Sequence, residues 1–187
     1  MEWLESATGP LILLAEPLLP YWDGANEPSG GRVVFAPPAA AEDADPDRPA
    51  TDYDRACGVR ELAALLDVGP GVGLVLGDRP YPATCLEVDG QRGVLIARWV
   101  YGASDGEVDE HLARLPDEVF ERGDLALNVP ESPLILFDAS LSGRSIAADT
   151  ERIVLELPAG QYRLRTTALE PDEETSLVLH WLGYVAP

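Results

Sequence analysis

The stretch Arg152–Leu182, RIVLELPAGQYRLRTTALEPDEETSLVLHWL, carries three β-forming runs separated by turn chemistry. Pro158-Ala159-Gly160 and Pro171-Asp172-Glu173-Glu174 supply the breaks, and the apolar, β-branched and aromatic residues between them are too short in run for a buried helix. The reading is three strands, Arg152–Leu157, Tyr162–Leu169 and Ser176–Leu182, with turns between them.

The same grammar extends outward. Leu125 to Val129 and Leu134 to Phe137 precede this block, with a turn at Ser142-Gly143. Further back, Val72–Leu76, Thr84–Val88 and Val94–Tyr101 read as consecutive strands of a sheet whose middle is buried on both faces. Leu11 to Leu14, after Gly9-Pro10, is a short buried strand, and Val33 to Phe35 a weaker one. Two segments carry helical spacing instead. The first opens at Tyr53, capped by Asp52, and runs to about Leu66 with Ala56, Val59, Leu62, Ala63, Leu65 and Leu66 as its stripe, weakened by Gly58. The second follows Asp105, buries Val108, Leu112 and Leu115, places Glu107, Asp109 and Glu110 in its first turn and ends at Pro116. The expected class is α+β, a mostly antiparallel sheet or sandwich with one or two helices packed on it, in a single domain over residues 1–187. GPLILLAE from Gly9 matches SPLILFDA from Ser132, and TCLEVD from Thr84 matches TALEPD from Thr167, so two related halves over 9–102 and 132–184 are an expectation alongside chance likeness of strands.

Charge narrows the function classes. The 187 residues hold 33 acids against 13 arginines and no lysine, for a net charge of −20, with a hydrophobic fraction of 46% that suits a folded globule. Nucleic acid and anionic membrane surfaces are both repelled by such a field. A basic protein partner is attracted by it, although a GC-rich genome or a salty cytoplasm would leave the same mark. Glu2 and Glu5 stand where a secretory leader needs cations, and Pro10, Pro17 and Pro20 interrupt the first apolar run, so the expected compartment is the cytosol. Cys57 and Cys85, without CxxC spacing, read as packed thiols.

Signatures of catalysis and metal binding are weak. Asp43, Asp45 and Asp47 alternate as in a calcium loop, but Pro46 and Arg48 occupy the turn and Asp54 stands where a bidentate Glu would close it. Gly69-Pro70-Gly71-Val72-Gly73 leads into a strand, where a phosphate cradle would lead into a helix. The two histidines, His111 on a helix face and His180 between Leu179 and Trp181, read as surface and packed residues, and no GxSxG elbow is present. The expectation is therefore no catalytic residue, no metal and no cofactor. Trp99 and Trp181 close apolar strands as core residues, whereas Trp22, in the irregular Pro20-Tyr21-Trp22-Asp23-Gly24, is expected at the surface.

Taken in order, WLESATGPLILLAE from Trp3, Trp22-Asp23-Gly24, DYDRAC from Asp52, LVLGDRPYPAT from Leu74, ARWVY from Ala97 and SLVLHWL from Ser176 resemble the immunity protein 21 family. Thr8-Gly9 and Cys85 depart from its pattern. The resemblance implies a bacterial antidote that binds and neutralises a cognate domain of a polymorphic toxin, without a cofactor. On that reading the contact residues are the aromatics Tyr21 and Trp22 with Asp23, the carboxylates Glu42, Asp43, Asp45, Asp47, Asp52 and Asp54, and the turn carboxylates Glu170, Asp172, Glu173 and Glu174. Two other readings remain open: a hydrolase using paired carboxylates, and a β module holding a small apolar ligand among aromatics.

Overall fold

The computed structural model describes residues 3–6, 9–29, 49–77, 79–87, 92–102, 104–115, 125–147 and 150–186. In chain order its first strands are β1 (Leu11–Ala15), β2 (Ala64–Val68), β3 (Gly71–Leu76), β4 (Ala83–Glu87) and β5 (Gly93–Tyr101). They are followed by β6 (Leu125–Val129), β7 (Leu134–Asp138), β8 (Ile153–Leu155), β9 (Gly160–Leu169) and β10 (Ser176–Ala186). Two helices, α1 (Asp52–Cys57) and α2 (Asp105–Leu112), interrupt the strands. The class is α+β and sheet-dominated, as expected. The strands form two sheets, β2-β3-β1-β7-β8 and β4-β5-β10-β9-β6, in which every pair is antiparallel. Each sheet belongs to its own compact unit: Ser6–Pro80 with Ser132–Glu156, and Met1–Glu5 with Tyr81–Glu131 and Leu157–Pro187.

In the first unit, β1 is central and all five of its residues are buried, which explains why LILLA shows no polar alternation. Ile12 pairs with Val75 on one side and Phe137 on the other, and Leu14 pairs with Ile135, so one face presents a continuous apolar row. Trp22, Ala56, Val59 and Val68 pack against that row. Glu16-Pro17 ends the strand, since proline offers no amide to a ladder, and the chain continues as a 3-10 segment, Glu16–Tyr21. β2 and β3 are joined by Gly69-Pro70. Gly69 adopts φ +54°, the left-handed value that two-residue hairpin turns demand, and Pro70 supplies a fixed negative φ after it.

Three sequence expectations need correction here. The helix expected from Tyr53 to Leu66 is only six residues long; Gly58 caps it, and Ala64–Leu66 are strand. The stripe of Ala63, Leu65 and Leu66 fits either period, and the Gly69-Pro70 turn decides the matter by folding this segment onto β3. Thr51, not Asp52, is the N-cap: its hydroxyl accepts from the Asp54 amide at 3.1 Å while the Asp54 carboxylate accepts from the Thr51 amide at 2.8 Å. Finally, β3 does not share a sheet with β4 and β5. The weak strand Val33–Phe35 lies outside the described residues.

In the second unit β10 is central, between β5 and β9. α2, opened by Ser104 and carrying Val108 and Leu112, packs on Leu95, Ala97, Leu177, Leu179 and Trp181. The opposite face of the same strands carries polar groups that are nonetheless buried: Arg98, whose guanidinium lies 5.4 Å from the Tyr81 ring centroid, and His180, whose Nδ1 is 2.9 Å from the Thr166 hydroxyl. Burial, and secondarily the Arg98 charge, push the His180 pKa down from 6.5 to about 3. The unfolded chain therefore takes up this proton near pH 6.5 and the folded chain only near pH 3, so stability is lost as the pH falls through that window. In urea titrations across it, the wild type should show one bound proton more of acid destabilisation than His180→Gln; equal slopes would refute the assignment.

Candidate partner-binding surface

The first unit places three of the expected contact residues around one concavity of about 890 Å³, lined by Tyr21, Asp23 and Asp52 together with Arg55, Arg144 and the Gly69-Pro70 turn. The 3-10 segment delivers Tyr21, and Asp23 follows two residues beyond its end. It stops at Trp22, whose amide bonds back to the Leu19 carbonyl at 3.1 Å, leaving Tyr21 on the outside with half its surface exposed (51%). The Tyr21 ring lies against the hairpin turn so closely that a Cβ on Gly69 would overlap it. Pro70 and Val72 continue the apolar patch beside it, and Val72 is itself exposed.

Trp22 is a correction: expected at the surface, it is fully buried in the core of this unit. Its indole N–H donates to the Ala139 carbonyl at 3.0 Å, and its own carbonyl accepts from the Gly143 amide at 2.8 Å. Those partners lie far along the chain, so the irregular sequence around Trp22 concealed a tertiary anchor.

Asp52 holds the wall of the concavity. It is almost wholly buried (1% exposed), yet both oxygens of its carboxylate accept hydrogen bonds. Oδ2 accepts from the Asp23 amide at 2.9 Å; Oδ1 accepts from the Ser29 hydroxyl and from Arg55 Nη1, the latter at 2.9 Å. Arg55 in turn donates from Nη2 to the Asp67 carbonyl at 2.7 Å, on β2. Asp23 is engaged from the other side by Arg144 Nη1 at 2.9 Å. Through one side chain, the end of the 3-10 segment, Ser29, α1 and β2 are held together. A second link, from the Tyr53 amide to the Gly24 carbonyl at 3.1 Å, joins the Trp22-Asp23-Gly24 turn to the DYDRAC helix.

The other expected residues are not gathered here. Asp54 is spent on the capping box of α1. Glu170, Asp172, Glu173 and Glu174 are exposed on the β9–β10 turn of the second unit, where Asp172 accepts from the Glu174 amide at 2.9 Å and stands 2.8 Å from His111 Nε2. The Glu174 amide foremost, and to a lesser extent His111, hold that carboxyl below its ordinary value. Asp172 thus fastens the turn to α2. Glu42, Asp43, Asp45 and Asp47 lie outside the described residues. Arg55 and Arg144 were missed by the sequence reading. The i,i+3 spacing of Asp52 and Arg55 could have revealed the first, whereas nothing local marks Arg144 as the partner of Asp23.

Both oxygens of the buried Asp52 carboxylate are occupied by protein donors, and among the described residues no group of three or more His, Cys, Asp or Glu is placed to hold a metal ion. Burial pushes the Cys85 thiol up to about 12, far from a nucleophilic thiolate at neutral pH. Removing the Asp52 carboxylate would take away the acceptor of the Asp23 amide and the Ser29 hydroxyl and the counter-charge of Arg55. Asp52→Ala is therefore expected to cost about 2 to 4 kcal/mol in urea unfolding, somewhat below a fully buried pair because Arg55 reaches solvent; a loss under about 1 kcal/mol would show that the network does not hold the wall.

No curated protein and no solved structure matches the chain. The sequence model of the family described as Immunity protein 21 matches residues 2–175, a span that includes the Trp22-Asp23-Gly24 turn and the DYDRAC helix joined by Asp52. The chain belongs to the immunity protein 21 family.

Proposed function

We propose that this immunity protein neutralises its cognate toxin domain by stoichiometric binding and occlusion in the cytosol, without turnover, and that the toxin docks on the concavity around Tyr21. The observation that carries this reading is the exposed Tyr21 ring, seated on the Gly69-Pro70 turn beside Val72, in a concavity whose wall is fixed by buried Asp52. A half-exposed aromatic held rigid loses little conformational freedom on binding, which is the usual character of an interface hot spot. Arg144 and Asp23 stand at its edge as a polar rim.

The net charge of −20 gives the long-range part of the same reading. It draws a basic partner toward the protein, and Glu170, Glu173 and Glu174 on the β9–β10 turn add to that field. The contribution belongs mainly to the association rate and fades with ionic strength.

The test is binding of the purified protein to its cognate toxin domain, with rescue of toxin-expressing cells as the second readout. Tyr21→Ala should weaken the complex by about 30-fold or more and reduce rescue, while lowering the unfolding midpoint only slightly, since half the ring is already in solvent. Association should slow as salt rises through the physiological range. Absence of any complex with a toxin from which the cells are nevertheless protected would overturn occlusion; a tight complex indifferent to Tyr21→Ala would overturn the docking surface alone.

A further inference from the structure

β2 lies at the margin of its sheet and pairs on one side only, with β3. The turn between them fixes which backbone groups face outward. Val68 and Gly71 flank the two-residue Gly69-Pro70 turn as opposite partners, and such a closing pair exchanges hydrogen bonds in both directions. Counting back by twos, Leu66 and Ala64 also bond to β3, whereas Asp67 and Leu65 turn their amides and carbonyls away from it. The Asp67 carbonyl agrees, since it accepts from Arg55 Nη2 at 2.7 Å. Among the described residues nothing engages the Leu65 amide, the Leu65 carbonyl or the Asp67 amide. Sheet margins are commonly protected by shortness, proline, lysine or a bulge. The far margin of the same sheet, β8, is three residues long. In β2 neither proline nor a register shift interrupts Ala64–Val68, and Leu62 just before it is exposed. Ala64 and Leu66 pack on the core of the unit, so the strand is held in place as a template for another.

We propose that this margin takes up an extended basic segment of the cognate toxin domain as an added strand, paired with Leu65 and Asp67. The charge of the occupant follows from the surroundings. Arg55 is committed to Asp52, Arg60 and Glu61 are exposed with opposite charges, and the exposed Asp67 carboxylate is left over. Lysine or arginine placed opposite Asp67 makes a favourable cross-strand pair. A second copy of this chain would bring its own −20 to the contact, which opposes pairing of β2 with β2. Asp67 and Val68 also line the concavity beside Tyr21, so a strand added here continues onto the docking surface. Main-chain bonds then supply affinity, and the side chains around the concavity supply selectivity. The identity of the partner rests on the proposed toxin-binding function, whereas the receptive margin does not.

The experiment titrates the whole ¹⁵N-labelled protein with three probes: a heptapeptide alternating lysine and valine, the same peptide N-methylated throughout, and a glutamate–valine counterpart. The lysine peptide should bind saturably and move the Leu65 and Asp67 amide protons downfield, with Ala64 and Leu66 much less affected. That alternation reports main-chain pairing. The N-methylated peptide should give no saturable shift, and the glutamate peptide should bind at least about tenfold more weakly. Leu65→Pro removes a donor that β3 does not use and should weaken the lysine peptide by about tenfold or more; the wild-type shift pattern decides the matter if this variant does not fold. Tyr21→Ala should leave peptide binding unaltered, so the two surfaces fail separately. In the complex with the toxin domain, the same two amides should exchange with solvent at least about tenfold more slowly. A tight complex in which they exchange as before would overturn the added strand and leave occlusion standing. No saturable binding of the lysine peptide, shifts without alternation, equal binding of either control, or the same shifts on concentrating the protein alone would also overturn the proposal.

Discussion

A carboxylate taken out of water needs hydrogen-bond donors, and in this protein Asp52 draws three of them, from Asp23, Ser29 and Arg55. The amide of Asp23, the hydroxyl of Ser29 and the guanidinium of Arg55 cannot satisfy it unless the 3-10 segment, Ser29 and α1 converge. Arg55 then passes the constraint to β2 through the Asp67 carbonyl. An apolar side chain at this position would fill space without dictating direction. The charge dictates both, so the Tyr21 ring and the Gly69-Pro70 turn stand in one fixed relation.

The strands were legible because their evidence is local. LILLA, LILFD and SLVLHWL have the composition of buried strands, and β1, β7 and β10 are indeed the most enclosed parts of their sheets. What was not legible depended on partners distant in sequence. Ala64–Leu66 satisfies helical and extended periods alike, and only pairing with β3 chooses between them. Trp22 looked like a loop residue because Ala139, which accepts from its indole, is remote in the chain. The same holds for the site. Tyr21, Asp23 and Asp52 were named from the sequence, but the reason they belong together is a hydrogen bond from the Asp23 amide to the Asp52 carboxylate, which no local pattern announces.

Charge is unevenly divided between roles. Most of the 33 acids contribute to a diffuse negative field, while Asp52, Asp54 and Asp172 are consumed by internal hydrogen bonds and arginine or histidine contacts. The arginines are fewer and more local. Arg55 and Arg144 brace the Tyr21 concavity, and Arg92, Arg163 and Arg165 line one concavity beside β9 and β10. A count of net charge describes the first behaviour and conceals the second.

β10 occupies the centre of its sheet, yet it follows both of its neighbours, β5 and β9, in the chain. During synthesis β5 and β9 must therefore wait, each with an open edge, until the ribosome has released β10 between them. Leu4 likewise waits for Ala83, far later in the chain, to bridge it. Newly made molecules therefore pass through an interval in which the sheet is incomplete, and it closes only once its central strand has emerged.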